Sequence, residues 1–260
     1  MTAMANRERR SLDRQGYRMK FGVLGPSTNT IVQPDFDDLR PRGVTNHYSR
    51  IHVDNAQAVS NESFMAGAWK ISDMTVDAVR RVLTCDPNYL VMGMSAVTFF
   101  GGAEGGRKWR EQIEEVSGLG VSTGSEATVA ALQAYGGIKK VAFVSPYYPT
   151  ANAEVRNFFS DYGFETVRDV ALERPSWIAI AETPEDMLRD TFRHLNGDGD
   201  DVDALIQIGT NLDCMRFAAA AETWLGKPVI AINTATYWHA LRKNGIPEQI
   251  DGFGRLMAEF

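Results

Sequence analysis

Apolar residues along this chain fall into short runs that stop at glycine or proline and hand over to small polar residues. Lys20-Phe21-Gly22-Val23-Leu24 is the first run, and Gly25-Pro26-Ser27-Thr28-Asn29-Thr30 follows it. Asn46 to Val53 is a second, partly alternating strand. Leu90-Val91-Met92 leads into Gly93-Met94-Ser95-Ala96, and Leu205-Ile206-Gln207-Ile208 leads into Gly209-Thr210-Asn211-Leu212. Lys140-Val141-Ala142-Phe143-Val144 has the polar exit Ser145-Pro146-Tyr147-Tyr148-Pro149-Thr150. Phe164 to Val167 and Pro228 to Ile232 complete the predicted strands, and Asn233-Thr234-Ala235-Thr236 closes the last of them.

Between the strands the period changes. Phe64, Met65, Ala68, Ile71, Val76, Val79 and Val82 predict a helical region over 61–84, which Asp86-Pro87 breaks. Ser122-Thr123-Gly124-Ser125-Glu126 is an N-cap signature ahead of a helix from Ala127 to Tyr135, closed by Gly136-Gly137. Helices are expected over 185–195 and 237–243, with 196–200 an exposed turn and Asn244-Gly245 a stop. Phe99-Phe100-Gly101-Gly102 and Gly105-Gly106 predict a flexible, partly apolar segment lying over a pocket or over the core.

The order of these signals repeats. Each Gly turn, at 93 and at 209, lies a similar distance beyond its half's first strand. The expected fold is therefore α/β: two pseudo-symmetric parallel-sheet halves with helices on both faces and a site in the cleft between them. Residues 19–118 with 234–260 form the first half, and 119–233 the second. Residues 1–18, with the basic cluster Arg7-Glu8-Arg9-Arg10, are expected to be a flexible extension. Ligands bind at the C-terminal edge of such sheets. A strand feeding a glycine turn and a helix start presents N–H groups and short polar side chains to an anion such as a carboxylate or phosphate.

Composition narrows the class of partner. With 44% hydrophobic and 23% charged residues and a net charge of -6, no basic stripe exists for nucleic acid. No apolar run reaches membrane-span length, and no signal segment follows the first Met, so a cytoplasmic protein without a membrane partner is expected. Two cysteines, Cys85 and Cys214, and four scattered histidines show no metal-ligand spacing. No dinucleotide or P-loop motif is present.

The segments Gly25–Thr30, Met92–Ser95, Gly209–Leu212 and Asn233–Trp238 resemble the site segments of the aspartate/glutamate racemase superfamily. Within it they are most similar to the branch holding maleate isomerase and arylmalonate decarboxylase. The resemblance covers residue 19 to the C-terminus in the expected order. It implies a cofactor-independent site for a small carboxylic or dicarboxylic acid, with hydroxyls, amides and turn N–H groups stabilising an enolate-like intermediate. Asn29, Ser95, Tyr147, Thr210 and Asn211 are thereby assigned to carboxylate binding or enolate stabilisation, with Thr30 and Asn233 in the same substrate-binding segments. In that branch proton transfer uses cysteines. Here the first cysteine position falls on Gly93 or, with a one-residue shift, Met94, and the second on Gly209. Both thiols are absent.

The acid/base group must then lie elsewhere. Tyr147, Ser95 and Cys214 are the catalytic candidates, with His239 or Tyr148 as other donors. Phe99, Phe100, Tyr148 and Trp177 are expected either to shape the substituent end of the pocket or to be core. Decarboxylation or isomerisation is the expected outcome, because racemisation needs two opposed acid/base groups. A carboxylate-binding or sensing protein on the same fold is the alternative, and hydrolysis through Ser95 ranks last for want of an activating base. The resemblance also leaves a homo-oligomer open.

Overall fold

Residues 13–54 and 59–260 are described by the structure, a computed structural model. β1 (Met19–Pro26) lies between two parallel neighbours, which is why Phe21, Val23 and Leu24 are all fully buried and its apolar run is nearly continuous. β2 (Val44–Ile51) pairs on one side and β3 (Tyr89–Met92) on the other, with Phe21 opposite Tyr89 and Leu24 opposite Met92. The short β4 (Val121–Ser122) closes a sheet of order β2-β1-β3-β4.

The second sheet repeats that order. β5 (Lys140–Ser145) lies between β6 (Glu165–Ala171) and β7 (Ala204–Gln207), with β8 (Val229–Ala231) at the edge, giving β6-β5-β7-β8. β5 thus corresponds to β1 and β7 to β3. Both sheets are parallel throughout and carry helices, as the sequence pattern requires.

The helices are α1 (Val32–Asp38), α2 (Asn61–Asp73), α3 (Thr75–Val82), α4 (Gly102–Ser117) and α5 (Gly124–Tyr135) in the first stretch of chain. α6 (Pro149–Asp161), α7 (Glu185–Asn196), α8 (Met215–Leu225), α9 (Ile232–Lys243) and α10 (Arg255–Glu259) follow. After β8 the chain returns to the first sheet, where α9 packs on α5, α1 and β3. Among the described residues no helix is long and apolar enough to cross a membrane.

Three local expectations change. The helical region over 61–84 is divided at Met74, which ends α2 and begins α3. α9 starts at Ile232 rather than at 237, so Asn233, Thr234 and Thr236 sit inside its first turns. Residues 99–106 are not a flexible loop. They are a 3₁₀ turn (Ala96–Phe99) running into α4, and Phe99 is buried edge-on against Phe158. The glycines there serve close approach: a Cβ on Gly106 would stand 2.5 Å from the Thr98 carbonyl oxygen. Cys214 occupies the N-cap position of α8, with no capping hydrogen bond from its side chain.

The cluster Arg7–Arg10 and the rest of residues 1–12 lie outside the described residues. Residues 13–18 are tied down: the Asp13 carboxylate accepts the N–H groups of Gln15 and Gly16, and Arg18 pairs with Glu248.

Candidate active site

The two central strand exits are built alike. The Gly93 N–H donates to the Leu24 carbonyl at 2.6 Å, and the Ile208 N–H donates to the Val144 carbonyl at 2.8 Å, so each glycine turn leaves its sheet beside the exit of β1 or β5. Gly209 adopts φ +100°, and a Cβ there would lie 2.5 Å from Pro146 Cδ. At Gly93 the backbone is ordinary, and a Cβ would meet Val32 Cγ2 at 3.0 Å.

Hydrogen bonds then stitch the halves together. Asn29 Nδ2 donates to Thr210 Oγ1 at 3.1 Å, and Thr210 Oγ1 donates to the Gly93 carbonyl at 2.9 Å. The Thr30 N–H donates to Asn211 Oδ1 at 2.9 Å. Asn29 Oδ1 accepts the Ile31 and Val32 N–H groups at the start of α1, so one amide caps a helix and reaches the other half. Ser95 Oγ and Tyr147 Oη, from opposite halves, are 2.8 Å apart and buried.

These groups enclose a cavity of about 50 Å³. Thr28 and Asn29 come from the β1 exit, Met94 and Ser95 from the β3 exit, and Tyr147 from the β5 exit. Gly209, Thr210 and Asn211 come from the β7 turn. Ala68 and Ile71 of α2 with Trp177 and Ile180 make an apolar wall. No charged side chain, histidine or cysteine lines it among the described residues. Burial pushes the Tyr147 phenol well above its ordinary value, against a smaller opposing effect of the Ser95 hydrogen bond, so the phenol is a neutral donor at physiological pH. The N–H groups of Ser95, Thr210 and Asn211 make no hydrogen bond to the described residues. Neutral hydroxyls and turn N–H groups are what a carboxylate needs in a site without a cation.

Of the residues singled out in the sequence, Asn29, Met94, Ser95, Tyr147, Gly209, Thr210 and Asn211 line this cavity, and so does Trp177. Thr30 contributes only its backbone N–H, and Gly93 lies behind Met94 as the acceptor for Thr210. Asn233 stands one layer back: its Nδ2 donates to the Thr210 carbonyl at 3.0 Å and to Asp35 Oδ2 at 2.8 Å. Its Oδ1 is buried without a partner among the described residues.

Cys214 and His239 are elsewhere. Cys214 is buried at the start of α8, where desolvation, with Asp213 and Asp35 nearby, raises its thiol well above the ordinary value. His239 shares a 2.8 Å hydrogen bond through Nδ1 with Ser122 Oγ, beside Tyr89 and Lys243 at a separate cleft. Burial and Lys243 push it down to about 4. Phe99, Phe100 and Tyr148 do not line the cavity. Ala68, Ile71 and Ile180 were not legible as site residues, because the same apolar side chains serve a cavity wall and the core. Among the described residues no group of three or more His, Cys, Asp and Glu is placed to hold a metal ion.

Comparison with known proteins agrees with this fold. The family model for arylmalonate decarboxylase matches residues 57–257. Maleate isomerase of Alcaligenes faecalis is 24% identical over 123 residues, 47% of this chain and 48% of that protein, so the chain spans about half the length of this curated relative. Nocardia farcinica maleate cis-trans isomerase, solved as a cysteine-to-serine mutant with a covalently bound succinylcysteine intermediate, superposes with TM-score 0.83 at 23% identity. That superposition covers 93% of this chain and 99% of the other. A liganded double mutant of arylmalonate decarboxylase gives TM-score 0.77 at 21% identity, covering 93% and 100% of the two chains.

Proposed function

Since the chain belongs to the arylmalonate decarboxylase family, we propose that it is a cofactor-independent enzyme acting on a small carboxylic or dicarboxylic acid through an enolate-like intermediate. The observation that carries this reading is the buried Ser95–Tyr147 hydroxyl pair, 2.8 Å between oxygens, beside a cavity without a charged side chain.

One carboxylate is held by the Ser95 and Tyr147 hydroxyls and the free turn N–H groups of Ser95, Thr210 and Asn211. A second carboxylate would face the apolar wall of Ile71, Trp177 and Ile180, where no donor replaces its hydration. Cleavage of its C–C bond releases carbon dioxide and leaves the electron pair on the α-carbon, delocalised into the retained carboxylate. The same donors stabilise the charge that develops there. Tyr147 Oη then gives its proton to carbon, Ser95 Oγ stabilises the phenolate formed, and solvent restores the proton. Decarboxylation is favoured over racemisation because bond cleavage itself makes the carbanion, and no pair of opposed acid/base groups is needed.

A second reading, binding without turnover, is favoured by one observation: no group lining the cavity titrates near neutral pH. Incubation in deuterated water with malonate, methylmalonate and maleate, followed by NMR, separates the two. Product or deuterium at the α-carbon is expected for the enzyme. Saturable binding with neither would sink the catalytic reading and leave the binding one.

A further inference from the structure

We infer that Gln207 and Asn233 are positioning residues: their side-chain amides hold the carbonyls of the β7 exit from behind, so that its N–H groups face the acid. This rests on the acid-binding reading of the cavity given above and names what sets the turn donors.

Gln207 Nε2 donates to the Ile208 carbonyl at 2.9 Å and to the Gly209 carbonyl at 2.7 Å. Asn233 Nδ2 donates to the next carbonyl, that of Thr210, at 3.0 Å. Three successive peptides are thus gripped by their oxygens. In a planar trans peptide the N–H points opposite to the C=O. The N–H groups of Gly209, Thr210 and Asn211 therefore face away from the two amides, and these three residues line the cavity.

The side chains of Thr210 and Asn211 are already spent on the protein. The Thr210 hydroxyl donates to the Gly93 carbonyl, and Asn211 Nδ2 donates to the Trp177 and Thr28 carbonyls. What these residues can offer an anion is backbone N–H, whose direction depends on the turn.

That direction is not fixed by the chain itself. The Leu212 N–H donates to the Gly209 carbonyl at 3.1 Å, closing a four-residue turn whose central peptide joins Thr210 to Asn211. Reversing a central peptide needs a positive φ at the third residue, which asparagine tolerates better than most. Asn211 nevertheless keeps a negative φ. The bond from Asn233 holds that state, because reversal would carry the Thr210 carbonyl away from its donor. Asn233 is oriented in turn by Asp35 Oδ2, which accepts its other N–H at 2.8 Å. Both amides are buried, and Asn233 Oδ1 has no partner among the described residues, so the two donations set how the Asn233 amide lies. A hydrogen bond to a charged group is worth about tenfold or more in affinity, so misdirecting one turn N–H is a measurable loss.

The test uses the full chain labelled with ¹³C-carbonyl threonine and ¹⁵N-asparagine, which marks the three Thr–Asn peptides at 28–29, 45–46 and 210–211. In Asn233→Leu the 210–211 peak should shift, with the Thr210 carbonyl carbon moving upfield, while the 45–46 peak serves as control. Calorimetric titration with malonate should show at least tenfold weaker binding by Asn233→Leu and by Gln207→Leu. Should those variants fail to fold, the Asp35 pair decides. Asp35→Leu frees the Asn233 amide and should weaken malonate at least fivefold, and Asp35→Asn, which keeps an acceptor, should recover most of that loss. An unmoved 210–211 peak in folded Asn233→Leu overturns the inference and leaves the acid-binding reading standing. So do malonate affinities within twofold of wild type in the folded amide variants, or equal affinities in the two Asp35 variants. Absence of malonate binding by wild type overturns the acid-binding reading and this inference with it.

Discussion

Asn29 and Thr210 stand 181 residues apart in sequence and share a hydrogen bond of 3.1 Å, amide to hydroxyl. The Asn29 side chain also caps the start of α1 through two backbone N–H groups. A single side chain thus couples a local helix start to the contact between halves. Asn29→Asp keeps the cap acceptor and loses the donor to Thr210, whereas Asn29→Ala loses both. We expect destabilisation of about 1 kcal/mol for the first and about 2–3 kcal/mol for the second. Urea midpoints that are equal for the two variants would show that the cross-half bond and not the cap carries the stability.

Tyr147→Phe keeps the ring against Phe64 and removes only Oη, leaving Ser95 Oγ without that partner. Stability should fall by about 1 kcal/mol. Turnover or exchange should fall by on the order of 10²–10⁴ if the phenol is the proton donor, with a smaller change in acid affinity. Equal losses in affinity and in turnover would reduce Tyr147 to a binding residue.

The glycine turns are not equivalent as places to restore a thiol. Gly209→Cys demands a left-handed backbone and displaces Pro146, which should cost about 3 kcal/mol or more. Gly93→Cys meets only the tight Val32 and Leu24 contacts and should cost about 1–2 kcal/mol. Thermal unfolding of the pair checks the order; a Gly209 variant as stable as the Gly93 one would mean that Pro146 yields freely.

Stability should depend on pH through two groups of opposite sign. Desolvation raises the Asp35 carboxyl from 3.8 to about 7, with Asp213 and Asp38 adding to it and Asn233 and Arg216 opposing. Between those values the folded chain holds a proton that the unfolded chain has lost. Stability from this group is therefore lost as pH rises from about 4 to 7, by at most about 4 kcal/mol. His239, pushed down from 6.5 to about 4 by burial and Lys243, acts the other way: its contribution is lost as pH falls from 6.5 towards 4. Urea midpoints from pH 4.5 to 7.5 should show Asp35→Asn becoming more stable with rising pH relative to wild type, and His239→Gln less. Parallel curves for all three proteins would refute both assignments.

Much of the frame was legible in the residues themselves. Strands β1, β3, β5 and β7 carry near-continuous apolar runs because both faces of a parallel sheet are buried, and their glycine or proline exits mark the edge where a ligand sits. The order of those signals, repeated once, determined the two-sheet plan. The segment at 99–106 was misread because glycine there answers a close approach of backbone to Thr98, which composition cannot tell from looseness. Tertiary structure alone decided which candidates meet. Ser95 and Tyr147 are brought within 2.8 Å, while Cys214 and His239, chemically the more attractive donors, are carried to other places by the packing of α8 and α9. The reason is physical: a strand pattern depends on neighbours along the chain and is written in it, but a cavity wall such as Ala68, Ile71, Trp177 and Ile180 depends on which distant surfaces close over a strand exit. That is determined only when α2 and the segment before α7 pack together.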